Sequence, residues 1–124
     1  MNTKLLSSGR IVYALPFGMF GLTHFMNAAQ MAGIVPSWIP GGIFWVYVTG
    51  LVHLAVCISL IINKYVFPAS LILAGMLIVF ILTIHAPGLA NAQTMQMSII
   101  SLLKDTALAG AALGWAGLAG VKKT

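Results

Sequence analysis

Four apolar stretches, broken by almost no charge, dominate this chain of 124 residues. They run over residues 11–25, 43–62, 66–84 and 99–119, each close to the ~20 residues with which a helix crosses a bilayer. Hydrocarbon offers no water to peptide N–H and C=O groups, so such a stretch must close its own hydrogen bonds as an α-helix. A water-soluble bundle would need a polar face on each helix, and none of the four has one beyond isolated residues. The sequence therefore predicts an all-α fold: an integral membrane, antiparallel four-helix bundle forming a single domain. The spans and their short connections are expected to use nearly all of the chain, leaving no catalytic domain outside the membrane.

The net charge of +5 would suit nucleic acid, but its placement points elsewhere. Lys4 and Arg10 precede the first span, Lys64 lies between the second and third, and Lys122 and Lys123 follow the fourth. Segments 27–42 and 85–98 hold no Lys or Arg. This is the positive-inside pattern, which predicts both termini in the cytoplasm. The basic ends then meet anionic headgroups, and the lipid bilayer is partner enough for them. The first span lacks a small-residue cleavage site after it and reads as a retained helix. The single Cys57 excludes an internal disulfide framework and reads as a packing residue.

Between the first two spans, Pro36, Pro40, Gly41 and Gly42 forbid a continuous helix, while Ile34, Val35, Trp38 and Ile39 keep the segment against the membrane. Trp38, Trp45 and Tyr47 suit an outer aromatic belt. Residues 63–67 read as a tight inner turn, with Pro68 tolerated in the first turn of the next helix. Pro87-Gly88 should stop the third helix and Pro16 should kink the first. In the fourth span Gly110 and Gly114 form GxxxG, and Ala112, Ala116 and Gly120 continue a small-residue face. Helix packing inside the chain is the plainer use of that face; a second copy or a partner's helix is the other.

Ionisable residues inside a membrane are costly and point to function. At 1.5 Å per residue His24 and His85 lie near outer helix ends, His53 about 15 Å deep, and Lys104 and Asp105 roughly 8–12 Å in. Asp105 is the only acid in the chain. Lys104 and Asp105, being consecutive, point about 100° apart, so each is expected to find a partner on another helix, His53 being nearest by depth. Thr49 shares the His53 face and Ser101 the Asp105 face. These spacings predict a polar pocket lined by Thr49, His53, Ser101, Lys104 and Asp105, open to the outer face past His24, His85 and Trp38. The competing reading is a buried network that fixes helix register, with Lys104 snorkelling to the headgroups.

A quinone headgroup needs hydrogen-bond donors and a proton-exchanging group, which His, Lys and Asp supply. Haem b needs two histidines at one depth, and only His24 with His85 qualifies; their shallow position argues against it. A closed zinc site lacks ligands, so no metal is expected. Nucleophile elbows, phosphate loops and paired carboxylates are missing from the sequence, which removes support for hydrolase and nucleotide chemistry.

Phe20-Gly21-x-x-His24-Phe25, Pro36-x-Trp38-x-Pro40, Tyr47-x-Thr49-Gly50, His85 closing the third helix, and Leu103-Lys104-Asp105-x-Ala107-x-Ala109-Gly110 occur in order. In these motifs the chain resembles, over residues 9–118, the small four-helix DoxX-like (DoxX/DoxD) membrane proteins. It departs from them at His53, where related sequences commonly carry glutamate after Thr-Gly-x-x. The resemblance implies a bacterial inner-membrane protein linked to thiosulfate:quinone oxidoreductase subunits and oxidative-stress complexes. Its distant eukaryotic relatives look like assembly chaperones.

The sequence thus predicts a membrane component of a quinone-linked redox system, with electrons supplied by a partner subunit. His53 would exchange protons, and Asp105 would set the charge of His53 or Lys104. The alternative is a non-catalytic accessory or assembly subunit that docks a partner membrane protein, or a second copy, through Gly110 and Gly114.

Overall fold

A computed structural model describes residues 1–121; Lys122 and Lys123, the expected basic flank of the fourth span, lie outside the described residues. The described chain is helical and divides into two compact units, one over Met1–Ala69 and one from Ser70 onward. Four of its helical segments are long and apolar enough to cross a membrane: Thr3–Met26, Ile43–Ile62, Val66–Gly88 and Met95–Val121. Large apolar side chains such as Leu51, Ile58, Ile72, Leu82 and Leu103 stand exposed along them. Water would not tolerate so much outward apolar surface, and hydrocarbon accepts it. The chain is a membrane protein.

In the first unit, helix α1 (Thr3–Met26) starts well before the expected residue 11, because the Asn2 side chain caps it by accepting from Leu5 N–H at 3.0 Å. It runs unbroken through Pro16. The connection expected to be irregular holds a short helix α2 (Ala28–Met31) and a 3-10 turn (Ala32–Ile34) before its prolines. It ends at Gly41 and Gly42, with φ of +112° and +48°, a region that glycine enters without strain. There Trp45 Nε1–H donates to the Pro40 carbonyl at 2.6 Å, fastening the first turn of the next helix to the loop.

Helix α3 (Ile43–Ile62) coincides with the expected second span and ends at Asn63 in the left-handed conformation, φ 57°. The Arg10 guanidinium of α1 donates to the Leu60 and Ile61 carbonyls at that end. It thereby serves acceptors that a helix C-terminus leaves open. The two helices run in opposite directions: Arg10 meets Leu60, Gly18 meets Cys57, Gly21 meets Leu54 and Gly50, and Phe25 meets Tyr47. They touch backbone to backbone. A Cβ on Gly21 would stand 2.7 Å from Leu54 Cγ and 3.0 Å from the Gly50 carbonyl, and one on Gly50 would stand 2.9 Å from His24 Cβ. Ala14, Phe17, Val56 and Leu60 fill this core.

Helix α4 (Val66–Phe80) carries Pro68 in its first turn and gives way to a π turn (Ile81–His85) and a last short helix α5 (Ala86–Gly88). The third helix thus ends at Pro87-Gly88, as its sequence predicts, but only after an unexpected change of winding. Helix α6 (Met95–Val121) follows a loop in which Thr94 Oγ1 donates to the Gly88 carbonyl at 2.8 Å. Ser98, Asp105, Ala109, Ala112 and Ala116 form its buried stripe. Gly110 and Gly114 lie off that stripe, and a Cβ on either would meet nothing within 4 Å. Within the second unit the alanines line the buried stripe and the two glycines do not.

Gly50→Ala is expected to destabilise the fold by about 1–3 kcal/mol through overpacking. Gly110→Ala and Gly114→Ala should leave stability unchanged or raise it. Reversible unfolding in mixed micelles followed by circular dichroism reads all three; equal losses would refute the glycine contact.

Candidate functional site

The ionisable residues divide between the two units, and each unit builds its own cluster. In the first, α3 carries His53 into the apolar core, where it is 4% exposed. The ring stacks on Phe17 (centroids 5.7 Å apart, planes 15° apart), meets Phe20 edge-on at 5.9 Å, and lies 5.1 Å from the ring of His24. Phe17, Phe20 and His24 recur at spacings of three and four on α1, so one helix face presents all three.

His24 Nδ1 lies 2.6 Å from the Phe20 carbonyl. A carbonyl only accepts, so Nδ1 carries the hydrogen, and Nε2 of the neutral ring is left to accept a hydrogen bond or a proton. His24 is thus a direct neighbour of His53. Thr49 is buried one turn before His53, and Trp38 stands exposed on the preceding loop.

In the second unit Asp105 is 5% exposed on the inner stripe of α6. Its Oδ2 lies 2.8 Å from Nε2 of His85, the last residue of the π turn. Its Oδ1 is 3.9 Å from Lys104 Nζ, whose side chain is half exposed. The expectation that His53 partners Asp105 is therefore corrected: the partner is His85. Depth alone suggested His53; the winding of the third helix decides for His85. Lys104 does bend back towards Asp105 despite the 100° between consecutive positions, at the outer limit of an ion pair. Ser98 is buried on the Asp105 face and Ser101 is partly so.

The chemistry of the pair follows from its two atoms. With Asp105 ionised, the ring N–H donates to the carboxylate; with Asp105 protonated and the ring bare at Nε2, the carboxyl O–H donates. One proton can thus sit on either atom without either heavy atom moving. A carboxylate so buried would be costly without such a partner. Phe17 and Phe20 around His53, and His85 beside Asp105, are the contacts that sequence spacing missed. Pro87, two residues past His85, is the signal that could have flagged the second. Among the described residues no three His, Cys or Asp side chains are grouped to hold a metal ion.

A family model described as a domain of unknown function (DUF8561) matches residues 13–117. No curated protein and no solved structure matches the chain.

A double-mutant cycle of His85→Ala and Asp105→Asn should return a coupling of about 1–2 kcal/mol. Lys104→Met should change stability by less than about 0.5 kcal/mol, as exposed ion pairs contribute little. Additive single losses at His85 and Asp105 would count against the pair.

Proposed function

The chain belongs to the DUF8561 family, and we propose that it is a small multi-pass component of a quinone-linked redox system in a bacterial inner membrane. In this reading the helices form an antiparallel bundle with both termini cytoplasmic, the side on which the basic residues are concentrated. The observation that carries the proposal is the His85–Asp105 pair, a proton-sharing couple at 2.8 Å built from the only acidic side chain of the chain inside an apolar helix.

Reduction of a quinone to its quinol takes up two electrons and two protons. Asp105, held by His85, delivers one proton to a carbonyl oxygen of the headgroup, is reprotonated from the outer side and delivers the second. His53, with His24, is a further proton-exchanging group in the first unit, and Lys104 donates a hydrogen bond to the headgroup. Electrons come from a partner subunit. The DoxX-like resemblance supports the quinone-linked setting. The alternative, a non-catalytic accessory subunit, has the open Gly110–Gly114 face of α6 in its favour.

Native mass spectrometry of protein held in patches of its own membrane is the test. The expected spectrum carries a quinone mass that disappears in Asp105→Asn. An empty chain bound stoichiometrically to another protein, and released from it by Gly110→Leu with Gly114→Leu, would sink the quinone reading and leave the accessory role.

A further inference from the structure

We infer that Pro87 and Gly88 are positioning residues: they hold the His85 ring against Asp105. The inference rests on the proposed function for its meaning, and its test is independent of any quinone.

In an unbroken α-helix the N–H of residue 87 would donate to the Thr83 carbonyl, four residues back. Proline has no N–H, and its ring collides with that carbonyl. The turn just before it is a π turn, in which Ala86 N–H donates to the Ile81 carbonyl, five residues back. One residue more than an α turn is taken up there. Everything after the turn is displaced by one residue, about 100° of rotation and ~1.5 Å of rise, from where a regular helix would carry it. His85 closes the turn. Without the extra residue the direction that His85 now takes would fall to Ile84, which has no polar atom to offer a carboxylate. Single π turns of this kind are concentrated at functional sites.

A second contact fixes the end that follows. The Gly88 carbonyl accepts from Thr94 Oγ1 at 2.8 Å. A Cβ at Gly88 would overlap Ser98 Oγ and stand 3.1 Å from Ser98 Cβ. The absence of a side chain at 88 therefore lets α5 lie directly on the first turn of α6, three residues from His85. Pro87 sets the rotation of His85 about its helix, and Gly88 sets its distance from α6. Lys104, on the same helix as Asp105, faces the pair at 3.9 Å from Oδ1.

Because Asp105 is the only Asp or Glu, carbon-13 placed in aspartate side-chain carboxyls labels one site. Nitrogen-15 in histidine rings labels three sites. Rotational-echo dipolar dephasing in quinone-free proteoliposomes then reads the His85–Asp105 approach directly.

Wild type is expected to dephase strongly, and Pro87→Ala to lose the effect while circular dichroism keeps its helicity. Gly88→Ala should also lose it, and Gly88→Ala with Ser98→Gly should regain it, which a general weakening of the fold would not do. Wild-type dephasing retained in Pro87→Ala, or no dephasing in wild type, overturns the inference. A quinone missing from the native complex bears only on the proposed function.

Discussion

An unpaired peptide group in hydrocarbon costs several kcal/mol, and that constraint decides most of what this chain does. It forces each apolar stretch into a helix and makes every interruption a local problem to be solved on the spot. The solutions are individual. Arg10 donates to the carbonyls at the end of α3, and Asn63 turns left-handed to finish the same helix. Ahead of Pro87, where a donor is missing, the backbone widens into a π turn and rejoins itself five residues back. The last of these brings His85 to the one carboxylate of the chain, so a backbone repair and a side-chain site coincide.

Glycine does two different jobs in the two units. At Gly21 and Gly50 it removes the bulk that would separate α1 from α3, and the helices meet over backbone atoms. On α6 the buried stripe is alanine, at Ala109, Ala112 and Ala116, while Gly110 and Gly114 have open space beside them. Small residues at spacing four therefore do not by themselves announce a contact. Gly21 and Gly50 carry no GxxxG signature, yet at these two positions α1 and α3 meet closely.

The four spans were legible because apolar length is additive along a sequence: Ile43–Ile62 coincides with its expectation, and the others extend it. The extensions come from short-range chemistry that hydropathy ignores, such as the Asn2 cap. The pairing at Asp105 was not legible. Depth along ideal helices placed Asp105 nearest His53, but depth assumes constant winding, and the third helix changes winding within one turn of His85. Helical spacing from Phe17 and Phe20 also sets His24 beside His53, a contact that depth alone does not give.

The long helices differ in length, and this ties the chain to its lipid. At ~1.5 Å per residue, α3 spans about 30 Å, the thickness of a typical hydrocarbon core, while the 27 residues of α6 span about 40 Å. A helix longer than the core tilts or carries its ends into the headgroups, by an amount set by membrane thickness. Asp105 lies ten residues along α6, so its distance from the water interface varies with that tilt. Acyl-chain composition thereby becomes a mechanical input to the only acidic side chain of the protein.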